Sequence, residues 1–381
     1  MPITQFRTLI ILINKRFTLL SSIGLLALLG YLFIRLFTHV SIAQEPQVAD
    51  NLRLEEFACV ARDPQSFKSC IDEARKNAVP VIKIIAPIIC TTAADCSFQI
   101  NNLHSSLTIL SSHPENKFLR QGDFSYSLLT ISNSSNLSLD RLVFEDEGDS
   151  GCPQGLVCPP LTVIHSSGDL HLSKLTFLSS KGTSLEINNS RDISLDNSSF
   201  INSFKTGIEV KTEGFTQNIK ILSNSFENNS GSALIFQALG AGSDSSIISG
   251  NKFINNHSNG SFRDCLYPCV APQLKIKGPS SNIRITENTI SGGANTALDS
   301  LGLFASGIEL SGQSVSNTTI FCNEIASNRG SGIVQSPPFS NISGIRITEN
   351  RLWNNGLNLN VPTATTSADN CYTSDCTLSC K

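Results

Sequence analysis

Five short segments of the chain carry polar or charged residues at alternate positions, and their types could do chemistry on a sugar polymer. They are SLEI (184–187), GIEV (207–210), ALIF (233–236), QLKI (273–276) and GIEL (307–310). In a strand, residues i and i+2 share a face. Glu186 with Asn188, Glu209 with Lys211, Ile235 with Gln237, Lys275 with Lys277, and Glu309 with Ser311 therefore point to one side, opposite the aliphatic residues between them. Eliminative cleavage of a uronate needs a cation against the carboxylate and a base for the C5 proton. Lys275 or Lys277 could supply either, acting as a base where neighbouring positive charge lowers its pKa. Glu209 and Glu309 could hold a calcium ion or orient a lysine, and paired carboxylates could instead serve hydrolysis. Glu186, Glu209, Lys211, Gln237 and Glu309 are the candidate substrate-binding residues. The plainer explanation of the same pattern is that a solvent-facing strand must carry polar side chains, and alternating charge provides them.

Two insertions precede strands of this candidate face. GCPQGLVCPP (151–160) and FRDCLYPCVAP (262–272) each combine two cysteines with prolines, so each reads as a small stapled loop that could wall a groove. The second brings Arg263, Asp264 and Tyr267 close in sequence to Lys275, making Arg263 a further candidate for proton transfer or carboxylate binding. His165 is an outward position on an earlier strand. A single histidine there is more often incidental than catalytic.

The element that must position these residues is a repeat. One phrase recurs as LSLDRLVF ending at Phe144, LHLSKLTF at Phe177, ISLDNSSF at Phe200, IKILSNSF at Phe226, IISGNKF at Phe253, IRITENTI at Ile290, IFCNEI at Ile325 and IRITENRL at Leu352. A fixed position two residues before the final apolar one is Leu142, Leu175, Ser198, Asn224, Asn251, Asn288, Asn323 and Asn350, at intervals of 23 to 37 residues. Each copy predicts a strand, a bend at that position, and a second strand; a third follows after a polar turn. Stacked at the strand spacing of about 4.8 Å, Asn224, Asn251, Asn288, Asn323 and Asn350 would form a hydrogen-bonded ladder, the amide at each bend tolerating left-handed backbone.

This pattern resembles the right-handed parallel β-helix of the pectate-lyase-like group, over roughly residues 100 to 360. The resemblance implies an all-β solenoid of three-stranded coils with an internal Asn ladder, and a substrate lying along the outer face of the strand after the polar turn. Neither the paired-Asp motifs of polygalacturonases, nor the Asp-Pro-His-Asp segment of mannuronan epimerases, nor the acid-rich calcium cluster of pectate lyases occurs. No catalytic residue is carried over from those enzymes.

The ends of a solenoid need covers. Residues 65–77 (QSFKSCIDEARKN) have the spacing of a short amphipathic helix, so 44–100 are read as an N-terminal cap, 101–361 as the coils and 362–381 as a Cys-rich C-terminal cover. Before them, Phe17 to Ile34 carries no charge, with Lys15-Arg16 ahead of it and Arg35 behind. That run reads as a transmembrane signal anchor or a cleaved signal peptide within residues 1–43, placing the remainder outside the cytoplasm.

The twelve cysteines agree, because Cys59 with Cys70, Cys90 with Cys96, Cys152 with Cys158, and Cys265 with Cys269 are sequence neighbours, as local disulfides require. Cys322 could partner Cys371, Cys376 or Cys380. A net charge of −3 and 15% charged residues offer no footprint for nucleic acid. The expectation is a monomeric, extracytoplasmic, membrane-tethered β-helix that binds acidic polysaccharide and cleaves it by elimination, with calcium the metal it could use; a non-catalytic surface protein is the alternative.

Overall fold

The computed structural model describes residues 58–76, 79–122, 124–147, 158–212, 216–239, 245–256, 271–292, 306–312, 314–336, 342–361 and 366–376. The hydrophobic run 17–34, Arg263 and Cys152, Cys265, Cys269 and Cys380 lie outside them. No helix among the described residues is long and apolar enough to cross a membrane.

Three parallel sheets of 12, 10 and 10 strands, here A, B and C, wind around one core. A typical coil runs Leu185–Asn188 in sheet C, Arg191–Asp196 in sheet A and Ser199–Ile201 in sheet B, then returns to sheet C at Ile208–Lys211. Each strand pairs in register with its equivalents in the coils on either side. Phe144, Phe177, Phe200, Phe226 and Phe253 accordingly stack inside the solenoid with centroids 4.8 to 5.1 Å apart and rings within 15° of parallel.

Most corners work by a left-handed residue followed by a buried polar one, a place taken by Leu103, Leu142 and Leu175 in early coils. At the corner from A to B, Asn251 Oδ1 accepts from the Asn224 backbone N–H at 2.9 Å and from Asn224 Nδ2 at 3.0 Å, while Asn251 Nδ2 donates to the Ile221 carbonyl at 2.9 Å. The same pattern links Asn251 to Asn288, Asn288 to Asn323, Asn323 to Asn350, and Asn350 to Asn370. The left-handed residue is the one before each ladder position, namely Ser223, Gly250, Glu287, Cys322 and Glu349. This departs from the expectation that the Asn itself takes that geometry: the ladder residue must aim its amide inward, and the preceding residue reverses the chain to allow it. The ladder also ends at Asn370, beside the last strand of sheet A, Thr366–Ala368, within the segment read as a cover.

A second ladder, not anticipated, occupies the corner from B to C. Asn256 Oδ1 accepts from Asn229 Nδ2 at 2.7 Å, Gln273 Oε1 from Asn256 Nδ2 at 2.7 Å, and Asn355 Oδ1 from Asn328 Nδ2 at 3.0 Å. Its signal was present in the sequence, three residues after Phe226, Phe253, Ile325 and Leu352. At the corner from C to A, the hydroxyls of Ser134, Ser167 and Ser190 each accept from the backbone of the previous coil.

The N-terminal end of the core is covered by the helix Pro64–Arg75, which buries Phe67, Cys70, Ile71 and Ala74. Phe67 meets Phe98 and Phe118 of the first coils edge-on. Cys59 bonds to Cys70, Cys90 to Cys96 and Cys371 to Cys376; Cys158 and Cys322 are disulfide-bonded too.

Candidate functional site

The candidate residues that lie among the described ones fall on the outer face of sheet C, in two rows along the solenoid axis. The first runs Val163, Glu186, Glu209, Ile235, Lys275, Glu309, Val334. Alongside it, Ser132, His165, Asn188 and Lys211 line one stretch of the second row, and Lys277 with Ser311 another. The parallel register of the β-helix explains the alignment, since equivalent positions of successive coils must stack.

The charges on this face neutralise one another. Lys211 Nζ lies 2.8 Å from Glu186 Oε2 and 3.3 Å from Glu209 Oε2. Lys275 Nζ lies 3.0 Å from Glu309 Oε1. Ile235 separates the two groups. Gln237 Nε2 donates to the Gly278 carbonyl at 3.1 Å, so its amide is already engaged. Lys277 is exposed and makes no ion pair among the described residues.

Partial burial alone would push the Lys211 ammonium down, but the hydrogen bond from Lys211 to Glu186 and the charges of both glutamates more than offset it, leaving its pKa above the ordinary lysine value of 10.5. A raised lysine pKa stabilises the fold at every pH below the unfolded value, and that stability is lost as pH climbs through the folded one. Lys211→Gln should therefore cost under about 1 kcal/mol at neutral pH, because the Lys211 side chain is 38% exposed and its charge is screened by water. The difference from wild type, followed by urea unfolding, should be flat up to about pH 10 and vanish above it. A gap that instead opened on raising the pH would contradict this ion-pair network.

Glu209 and Glu309 stand three strand spacings apart, about 14 Å, too far to share one calcium ion. Glu186 and Glu209 are the adjacent carboxylates of this face, one spacing apart, and both meet Lys211. The charge nearest Lys275 is the Glu309 carboxylate. Among the described residues no group of three or more His, Cys, Asp or Glu side chains could hold a metal ion. A trough of about 600 Å³ lies at the corner from C to A instead, lined by His104, Asn133, Ser166, Asp169, Asn189 and Arg191.

Sequence reasoning missed one charged group entirely. Arg120 and Asp146, both fully buried, form a bidentate pair at 2.6 and 2.7 Å where sheet B leads towards sheet C. Aligning FLR at 118–120 with FED at 144–146 would have placed them opposite each other. The eight copies of the phrase begin only at Phe144, so that earlier coil was not aligned.

A chain that winds three parallel sheets around a stacked core, with buried amide ladders at its corners, is a right-handed parallel β-helix protein. Residues 162–337 match the family described as the right-handed beta helix region. No curated protein matches the sequence. Among solved structures, the chain is similar to the surface adhesin PfbA of Streptococcus pneumoniae, at 13% identity and a TM-score of 0.55, over 81% of this chain and 80% of that one. It is also similar to an alginate lyase from Paenibacillus sp. str. FPU-7, at 12% identity and a TM-score of 0.50, over 83% of this chain and 99% of that one. At such identities the likeness concerns the fold.

Proposed function

We propose that the β-helix works outside the cytoplasm, held at the membrane through residues 17–34, and binds an acidic polysaccharide along the outer face of sheet C. The observation that carries this reading is the file of polar side chains from Glu186 to Glu309, which runs parallel to the solenoid axis as an extended polymer would. Five coils span about 19 Å, room for about four sugar rings. Glu186, Glu209, Lys211 and Gln237 would exchange their mutual contacts for sugar hydroxyls. Lys275, oriented by Glu309, is the cation that would meet a uronate carboxylate. Lys277 is the side chain that would take the C5 proton, the electron pair then forming the C4–C5 double bond as the C4–O bond breaks and the leaving oxygen is protonated. Arg263, outside the described residues, is proposed to assist from the preceding loop. The uncharged run at 17–34 and the disulfides support the extracytoplasmic setting.

A second reading is adhesion without cleavage. It is favoured by the pairing of Lys211 and Lys275 with carboxylates, which leaves Lys277 as the one cation of this face without an ion pair among the described residues. Residues 44–381, folded oxidatively, should be incubated with pectate, alginate, glucuronan and chondroitin, with and without calcium. Lyase action predicts rising ultraviolet absorbance from unsaturated uronate on one polymer, reduced at least a hundredfold in Lys275→Ala/Lys277→Ala with unchanged circular dichroism. Binding without product would select adhesion, and neither would defeat both.

A further inference from the structure

A row of cations without ion pairs among the described residues lies on a different sheet. Along the outer face of sheet A one row runs Lys220, Ile247, Arg284, Thr319 and Arg346, each paired in register with the next. The neighbouring row is Leu222, Ser249, Thr286, Phe321 and Thr348. Those ten positions over five coils include three cations and no carboxylate, in a chain whose net charge is −3. Arg284 and Arg346 are exposed, Lys220 is half-buried, and none of the three makes an ion pair among the described residues. Asp196 stands in register with Leu222 one coil before these rows, engaged by the Ser173 hydroxyl and the Asn197 amide, and Glu287 and Glu349 sit at the corner beyond them, where Glu349 faces the Cys322 sulfur at 4.0 Å. The Arg284 guanidinium rests 5.4 Å from the centre of the half-buried Phe321 ring.

We infer that this face is a second glycan-binding surface, which takes an extended uronate-bearing polysaccharide laid along the solenoid axis. The cations recur every second coil, about 9.6 Å apart. An extended pyranose chain advances per ring by nearly one strand spacing and turns alternate rings to opposite sides, so it presents a carboxylate to one face once per two rings. The two repeats therefore match over the row. Between the cations stand Ile247 and Thr319, with Phe321 in the next row, giving the apolar and hydroxyl contacts that sugar faces use. Sheet C offers no such row, because its lysines and glutamates alternate and largely pair. The inference goes beyond the sheet C reading and stands without it.

The test measures binding of residues 44–381 to uronate oligosaccharides of increasing length by calorimetry at low salt, in two arms: chondroitin, with uronate on alternate rings, and polygalacturonate, with uronate on every ring. Affinity for at least one should climb up to about five rings, whose four steps cover the about 19 Å between the first and last cation, then level off. It should fall steeply with added salt, as counterion release requires. In a Lys275→Ala/Lys277→Ala background, which removes the sheet C cations, Lys220→Gln/Arg284→Gln/Arg346→Gln should weaken the remaining binding at least tenfold, whereas Lys252→Gln, exposed on sheet B, should leave it within twofold. Arg346→Glu alone, at an exposed position, gives the same answer if the triple variant fails to fold. No binding in either arm, binding that the sheet A variants leave intact, or binding lost only in the sheet C variant would each overturn the inference; the last would leave the sheet C reading standing. Capture by anionic lipid vesicles without oligosaccharide binding would reassign the face to membrane.

Discussion

Replacing Asn251 by alanine should destabilise the protein by about 3 to 5 kcal/mol, although the side chain is small and touches no ligand. Its amide accepts from two donors of Asn224 and donates to the Ile221 carbonyl and to Asn288 Oδ1. All of these atoms are buried, and deletion strands the Asn224 N–H and one Asn224 Nδ2 hydrogen and takes a donor from the Ile221 carbonyl, while Asn288 Oδ1 keeps the residue-251 backbone N–H, a loss of about 1 kcal/mol or more for each stranded group. A water entering the methyl-lined gap would recover part of the loss, which keeps the estimate below a simple sum. Asn251→Asp should be no milder. It restores the acceptor but removes the donor, and it places a carboxylate at a site with no accessible surface. Urea unfolding compared with Asn360→Ala, whose side chain is exposed on the last strand of sheet C, supplies the control. Equal midpoints for Asn251→Ala and Asn360→Ala would mean that the ladder is a consequence of stacking with no stabilising role of its own.

The ladder was legible because its chemistry demands one residue type at one place in each coil, and the phrase around it repeats. Strands of sheet C were legible for the same reason, since GIEV and GIEL alternate as a half-buried strand must. The second ladder was written equally clearly after Phe226 and Phe253 but sits in Asn-Ser-rich turns, where a buried Asn cannot be told from a solvated one by type. What the sequence could not give is the pairing of side chains across coils. Lys211 is 23 or more residues from Glu186, and only the register decides that it meets that carboxylate, whereas Lys220 meets none. A list of lysines and glutamates on one face reads as a reactive groove until the register turns it into ion pairs. The same register leaves the outer face of sheet A, whose strands open the repeated phrase, with a row of cations that make no ion pair among the described residues.

Asp146 illustrates how far that register reaches into stability. Its carboxylate holds Arg120 through Nε and Nη2 and also accepts from the Lys181 backbone N–H at 2.7 Å. Arg120 further donates to the Tyr126 carbonyl, and its guanidinium lies 5.6 Å from the Phe124 ring centre. Lys181, fully buried, places its ammonium 5.1 Å from the Phe204 ring centre and 5.6 Å from that of Phe124. Asp146→Ala leaves the buried Arg120 guanidinium without its carboxylate and should cost about 3 to 5 kcal/mol, the usual penalty for leaving one member of a buried pair uncompensated. The pair itself is worth much less than that, because both ions gave up hydration to form it. Arg120→Met/Asp146→Leu should therefore be more stable than Asp146→Ala alone, and should fall within about 2 kcal/mol of wild type. A double-mutant cycle in urea measures the coupling directly. If the double variant is as unstable as the two single losses added together, the pair is not the unit that holds this corner, and Lys181 with its aromatic neighbours would be the next candidate.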